Sequence, residues 1–152
     1  MMFKMYLDAV KWDGENSPCT LIFCNARDGG KLNVEIPEAI GFDLQTLLNQ
    51  RTEGVNPYFG ITEVFYQIGA KVEKLAIKAN QKPGTAFVVL NVGGKITEIE
   101  LFFADVVSIA IVEKMPVYFD ESICVKNEIP LNRRLFFART LTMTRYSFDT
   151  DR

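Results

Sequence analysis

Residues 85–119, TAFVVLNVGGKITEIELFFADVVSIAIVEKMPVYF, pass from strand to strand to helix to strand within 35 residues. Two runs, 85–92 and 95–103, flank Gly93-Gly94, which supplies the positive-φ chemistry of a two-residue hairpin. In the second run Ile99, Leu101 and Phe103 point to one face while Glu98, Glu100 and Phe102 point to the other. The first run is apolar on both faces, so it is expected between two neighbours. From about residue 105 to 114 the period becomes helical, Pro116 stops the helix, and Val117-Tyr118-Phe119 reads as a short strand.

Before the hairpin, residues 71–79 form a strand that joins it through Pro83-Gly84, which completes a meander. Two amphipathic helices precede it. One spans 38–50, with Ile40, Leu44, Leu47 and Leu48 at helical spacing. The other spans about 57–68, with Asn56 as a cap, a stripe of Tyr58, Ile61, Phe65 and Ile68, and Gly69 at its end. The first third is a second meander of strands at 3–11, 19–25 and 31–36, with Asp13-Gly14 and Asp28-Gly29 in the turns. Grouped strands alternating with grouped helices give an α+β fold: a mixed, largely antiparallel sheet of two strand groups with about three packing helices. The domain spans 3–125, and 126–152 is a C-terminal basic extension packed on it.

Composition limits the chemistry. The chain has 152 residues, 48% of them apolar, enough for one substantial core. Its 17 basic and 19 acidic residues nearly cancel, so no overall field draws it to a polyanion. There is no histidine, which excludes histidine general bases, Ser-His-Asp and Cys-His systems and histidine metal ligands. Three cysteines without CxxC spacing, Cys19, Cys24 and Cys124, read as reduced thiols of a cytoplasmic protein. No apolar run reaches membrane-spanning length, so no membrane partner is expected.

Two readings of Asp105 stand side by side. At the junction of an apolar strand and an apolar helix, its oxygen is placed to cap the backbone N–H of Val107 or Ser108. Alternatively it joins Glu100, the last acid of the preceding strand, to hold a divalent cation or activate water. The Gly-Gly-Lys segments at 29–31 and 93–95 are followed by strand patterns, not by a helix N-terminus, and read as turns rather than phosphate loops. In 126–152, six basic residues face three acidic ones, a local +3 in a chain whose net charge is −2. Arg133, Arg134 and Arg139, interleaved with Phe136, Phe137 and Tyr146, suit contact with a nucleic-acid strand by phosphate pairing and base stacking. A terminal helix or strand that buries its phenylalanines and solvates its arginines explains the same pattern.

Residues 69–121 resemble the bifunctional nuclease domain. The matching features are Gly69-Ala70-Lys71-Val72 at a strand start, Gly84, Thr85 and Phe87 in the next strand, Asp105 opening an apolar helix, and Pro116-Val117-Tyr118 in the last strand. The likeness extends more loosely over 3–125. It implies an α+β domain that forms homo-oligomers and, for some members, a nuclease acting on RNA and DNA. On that basis Glu100 and Asp105 are the expected catalytic and metal-binding residues, with Mg or Mn as the metal. The chain departs from the family where polar chemistry is expected. A usual Thr-His-Asp is replaced by Pro57, Tyr58 and Phe59, and an Asp-Ala-Arg-Pro-Ser-Asp segment by Glu100, Leu101, Phe102, Phe103, Ala104 and Asp105. The loss of these phosphate-binding donors makes a non-catalytic oligomeric scaffold or binding module the alternative, with Phe59, Phe102 and Phe103 as contact surface.

Overall fold

The computed structural model describes residues 2–49, 57–78, 85–125 and 142–147. The first meander is β1 (Met2–Trp12), β2 (Cys19–Asn25) and β3 (Lys31–Ile36). Helices α1 (Glu38–Asn49) and α2 (Pro57–Gln67) follow, and then the second meander, β4 (Ala70–Ile77), β5 (Thr85–Val92) and β6 (Lys95–Phe102). The chain continues through α3 (Phe103–Glu113), β7 (Val117–Asp120), α4 (Glu121–Val125) and β8 (Thr142–Ser147). The described strands form one α+β sheet in the order β6-β5-β4-β7-β1-β2-β3-β8. Every pairing is antiparallel except β4 with β7, which is parallel. β7 therefore joins the two meanders, pairing Val117 to Phe119 with Met5 to Phe3 on one side and Tyr118 with Ala76 on the other.

Alternation along the strands makes one face of this sheet the core. Cys19, Leu21 and Phe23 of β2, Leu32, Val34 and Ile36 of β3, Ala86, Val88 and Leu90 of β5, and Val117 and Phe119 of β7 are all buried. Phe23 and Phe119 meet edge to face at 5.0 Å, so the central rings come from strands on both sides of β1. Phe103, Val106, Val107, Ile109 and Ala110 of α3 complete the same cluster with Leu44 of α1. The intervening strand residues, such as Thr20, Ile22 and Cys24, or Thr85, Phe87 and Val89, are only half-buried on the opposite face.

The turns follow their sequence chemistry. Gly93 and Gly94 both have positive φ (59° and 88°), and Asn91 Oδ1 accepts the Gly94 N–H at 2.9 Å. The β2–β3 turn is closed by Asp28 Oδ1, which accepts the Gly30 N–H at 2.8 Å. Both Gly-Gly-Lys segments are thus strand connections. Helix α1 lies against β2 at Gly41, where an added Cβ would overlap Cβ and Sγ of Cys19. Burial raises the pKa of the Cys19 thiol, with smaller contributions from Glu38 and Asp13, so it acts as a small apolar group. Trp12 closes the same end of α1, its indole N–H donating to Glu38 at 3.2 Å and its ring edge-on to Phe42 at 5.3 Å.

The stripe expected on α2 is rotated. Tyr58 and Phe65 face the core as anticipated, but the buried residue between them is Thr62, and Ile61 and Ile68 face solvent. Three to four residues separate 58, 62 and 65, so this face satisfies helical periodicity as well as the apolar one does. The Tyr58 hydroxyl bond described below selects it.

Gly41→Ala should lower stability by about 1–3 kcal/mol, the usual cost of forcing a methyl into filled space. Cys19→Gly in the same chain, which removes the opposing Cβ, should recover part of that loss. Urea midpoints of the four variants in the cycle give the coupling.

Candidate functional site

The strand β6 runs into α3 without an intervening loop. Phe102 is both the last strand residue and the helix N-cap, in an extended conformation at φ −65° and ψ 146°, and its side chain makes no capping bond. The helix begins at Phe103, two residues earlier than periodicity suggested, because Phe103 is fully buried and anchors the first turn in the core. Asp105 therefore sits inside the first turn and is not the cap. A carboxylate there still opposes the partial positive charge of the helix N-terminus.

The Asp105 side chain is turned toward a second helix. Tyr58 Oη donates a hydrogen bond to Asp105 Oδ1. Further along, Tyr66 Oη donates to Glu113 Oε2 at 2.6 Å. The donors are eight residues apart on α2 and the acceptors eight apart on α3, so the two helices run parallel and are clasped at both ends of a seam about 12 Å long. By spacing, Tyr58, Thr62 and Tyr66 share one face of α2, and Asp105, Ile109 and Glu113 share one face of α3. At the far end α3 stops at Lys114, whose left-handed conformation (φ 53°) directs its N–H to the Ala110 and Ile111 carbonyls.

The electrostatics match a tether. Burial, then the bond to Asp105 and its charge, push the Tyr58 pKa up to about 12, with a smaller push from Asp43 of α1, while Ser108 acts in the other direction. Tyr66 is raised as well, first through its bond to Glu113. Both phenols are neutral near pH 7 and act there as fixed donors. Ser108, buried in the same turn, donates its hydroxyl to the Ala104 carbonyl at 2.7 Å.

Glu100 is placed differently. It is exposed on β6, opposite Phe87 of β5, and shares a face with Glu98. That face is the one turned away from the core, whereas Asp105 lies in the helix layer against α2. The strand register therefore separates the two acids expected to share a metal. Among the described residues, no group of three or more cysteine, aspartate or glutamate side chains is placed to hold a metal ion. Glu100 and Asp105 as a pair do not fit Mg²⁺ or Mn²⁺, each of which needs oxygens converging on one point. Arg133, Arg134 and Arg139 lie outside the described residues.

Of the three phenylalanines expected as contact surface, Phe102 is 66% exposed and Phe103 is fully buried, because the helix start turns it inward. The Phe59 side chain lies outside the described set. The residues that sequence reasoning passed over are Tyr66 and Glu113, and the partnership of Tyr58 with Asp105. Their one sequence signal is the matched spacing of eight, which has meaning only once α2 and α3 are known to be parallel. No protein-family model matches the chain, and no curated protein matches it. The likeness to the bifunctional nuclease domain thus rests on the residues quoted from the sequence.

Tyr58→Phe should cost about 1–2 kcal/mol, since it leaves a half-buried carboxylate without its donor. A double-mutant cycle with Asp105→Asn should show coupling, because the two side chains act as a unit. The pH dependence has a definite sign. A folded-state pKa raised above the unfolded value of 10 means that the neutral phenol is the form the fold favours. That stabilisation is complete below about pH 10 and is lost as pH rises toward 12. The stability difference between the wild type and Tyr58→Phe should shrink over this window, as read by denaturant titrations at pH 8, 10 and 11.5.

Proposed function

We propose that this chain is a non-catalytic assembly module that associates with copies of itself through the outer face of α2. The observation that carries this reading is the exposure of Ile61, Val64 and Ile68, at 42%, 57% and 63%. They recur at i, i+3 and i+7, so they form a continuous apolar stripe on the side of α2 away from Tyr58 and Thr62. Exposed apolar stripes of this kind mark contact surfaces. Glu63 is the one charge in Pro57–Gln67, so this surface offers little to a strongly charged partner. A second copy presents the same stripe, and a two-fold pairing would bury both. The resemblance to a family of homo-oligomers supports the same direction.

The nuclease reading rests on that resemblance and would use Glu100 and Asp105. Their placement on opposite sides of the sheet weighs against a shared metal. A cytoplasmic setting is supported by the free thiols of Cys19 and Cys24. No helix among the described residues is long and apolar enough to cross a membrane.

Light scattering on the purified chain should give a multiple of the monomer mass, and Val64→Glu with Ile68→Glu should return it to the monomer with unchanged circular dichroism. A wild-type monomer at tens of micromolar would overturn the assembly reading. Labelled RNA and single-stranded DNA, incubated with the chain and Mg²⁺ or Mn²⁺, should remain intact. Cleavage abolished by Asp105→Asn and by Glu100→Gln would establish the nuclease reading in its place.

A further inference from the structure

The outer edge of β6 has the geometry of a docking strand. β6 stands last in the order of the described strands, and it pairs with β5 residue for residue from Thr85↔Phe102 to Val92↔Lys95 without a bulge. By contrast, β1 with β2, β3 with β8 and β4 with β5 all carry register shifts. The two-residue turn at Gly93-Gly94 makes Val92↔Lys95 a hydrogen-bonded pair, so Lys95, Thr97, Ile99 and Leu101 direct their backbone groups to β5. The N–H and C=O groups of Ile96, Glu98 and Glu100 and the N–H of Phe102 consequently point outward along the edge, while the Phe102 carbonyl, at the helix N-cap, turns into the first turn of α3. No strand among the described residues pairs with them.

The side chains of those four residues set the partner. They share the open face in the order apolar, acid, acid, apolar, with Ile96 and Phe102 exposed at either end. Glu98 accepts a bond from Lys78 at 2.6 Å, but both side chains are more than 40% exposed, so the pair is weak and exchangeable. A second copy is a poor occupant. Any β6–β6 pairing that aligns the open faces over the strand centre places Glu98 and Glu100 of both copies on neighbouring rungs, and like charges across strands repel. We propose that the β6 edge binds, by strand addition, an extended segment of another protein with basic residues at two alternate positions flanked by apolar ones. Backbone bonds would supply the affinity, and Glu98, Glu100, Ile96 and Phe102 would read the side chains. This surface is separate from the α2 stripe, so it does not depend on self-association.

The test uses the full chain and a fluorescein-labelled, capped heptapeptide, Ile-Thr-Lys-Thr-Lys-Thr-Phe, with a control in which glutamates replace the lysines. Fluorescence anisotropy should show saturable binding of the lysine peptide and binding of the control about tenfold or more weaker. E98K/E100K should reverse that preference. Hydrogen exchange should slow at the amides of Ile96, Glu98, Glu100 and Phe102 on adding the lysine peptide and stay unchanged at Thr97 and Ile99. The proposal is overturned by no binding of either peptide, by a preference that E98K/E100K does not reverse, or by slowed exchange confined to other strands. Protection of the four edge amides without peptide would also overturn it, since the edge would then already be covered.

Discussion

Two antiparallel meanders become one sheet because β7 enters between them, antiparallel to β1 and parallel to β4. Among the described residues it is the strand that pairs with both halves, and its four residues supply Val117 and Phe119 to the core. The helices depend on this joint. α3 leads into β7 from the far edge of the sheet, so it must lie across the core face to deliver the chain. Once α3 is fixed there, α1 and α2 have one apolar surface on which to pack. The edge-to-face contact of Phe119 with Phe23 ties β7 to the first meander, and its parallel pairing with β4 ties it to the second.

The clasp between α2 and α3 follows from that arrangement. Parallel helices on a common sheet face bring their first turns to the same level, which sets Tyr58 beside Asp105 and, eight residues on, Tyr66 beside Glu113. The hydroxyl bonds then decide the rotation of α2. Apolar periodicity alone permits Ile61 and Ile68 to face inward, but a half-buried carboxylate without a donor is costly, and Tyr58 supplies the donor. The consequence is an outward row of Ile61, Val64 and Ile68. The most exposed apolar surface of the helix layer is thus the counterpart of a polar bond inside it.

Asp105 illustrates what can and cannot be read in a sequence. Its position at a strand-to-helix junction was legible, and so was its isolation among apolar residues. Its partner was not, because Tyr58 is 47 residues away and nothing local links the two. Separation along the chain also hides Gly41, whose missing side chain matters only where α1 crosses Cys19. Alternation along β6 is enough to put Glu100 on the face it shares with Glu98, yet its separation from Asp105 depends on which side of the sheet the helices occupy. Five acidic or basic positions proposed from sequence alone therefore divide into one tether, one edge residue and three arginines that lie outside the described residues.

Period and turn chemistry are properties of neighbouring residues, and by themselves they determined the strands at 19–25, 31–36 and 85–92, the strand from 95 to within one residue of its observed end, the turn at Gly93-Gly94, and α1, α2 and α3 to within two residues of their observed bounds. They also determined that the fold is α+β, since the order of strand and helix groups is written along the chain. The placement of β7, the parallel seam of α2 and α3, the rotation of α2 and the separation of Glu100 from Asp105 were decided only by tertiary structure. Each of these depends on which surfaces far apart in sequence are buried together, and on which buried polar group must find a donor across that contact.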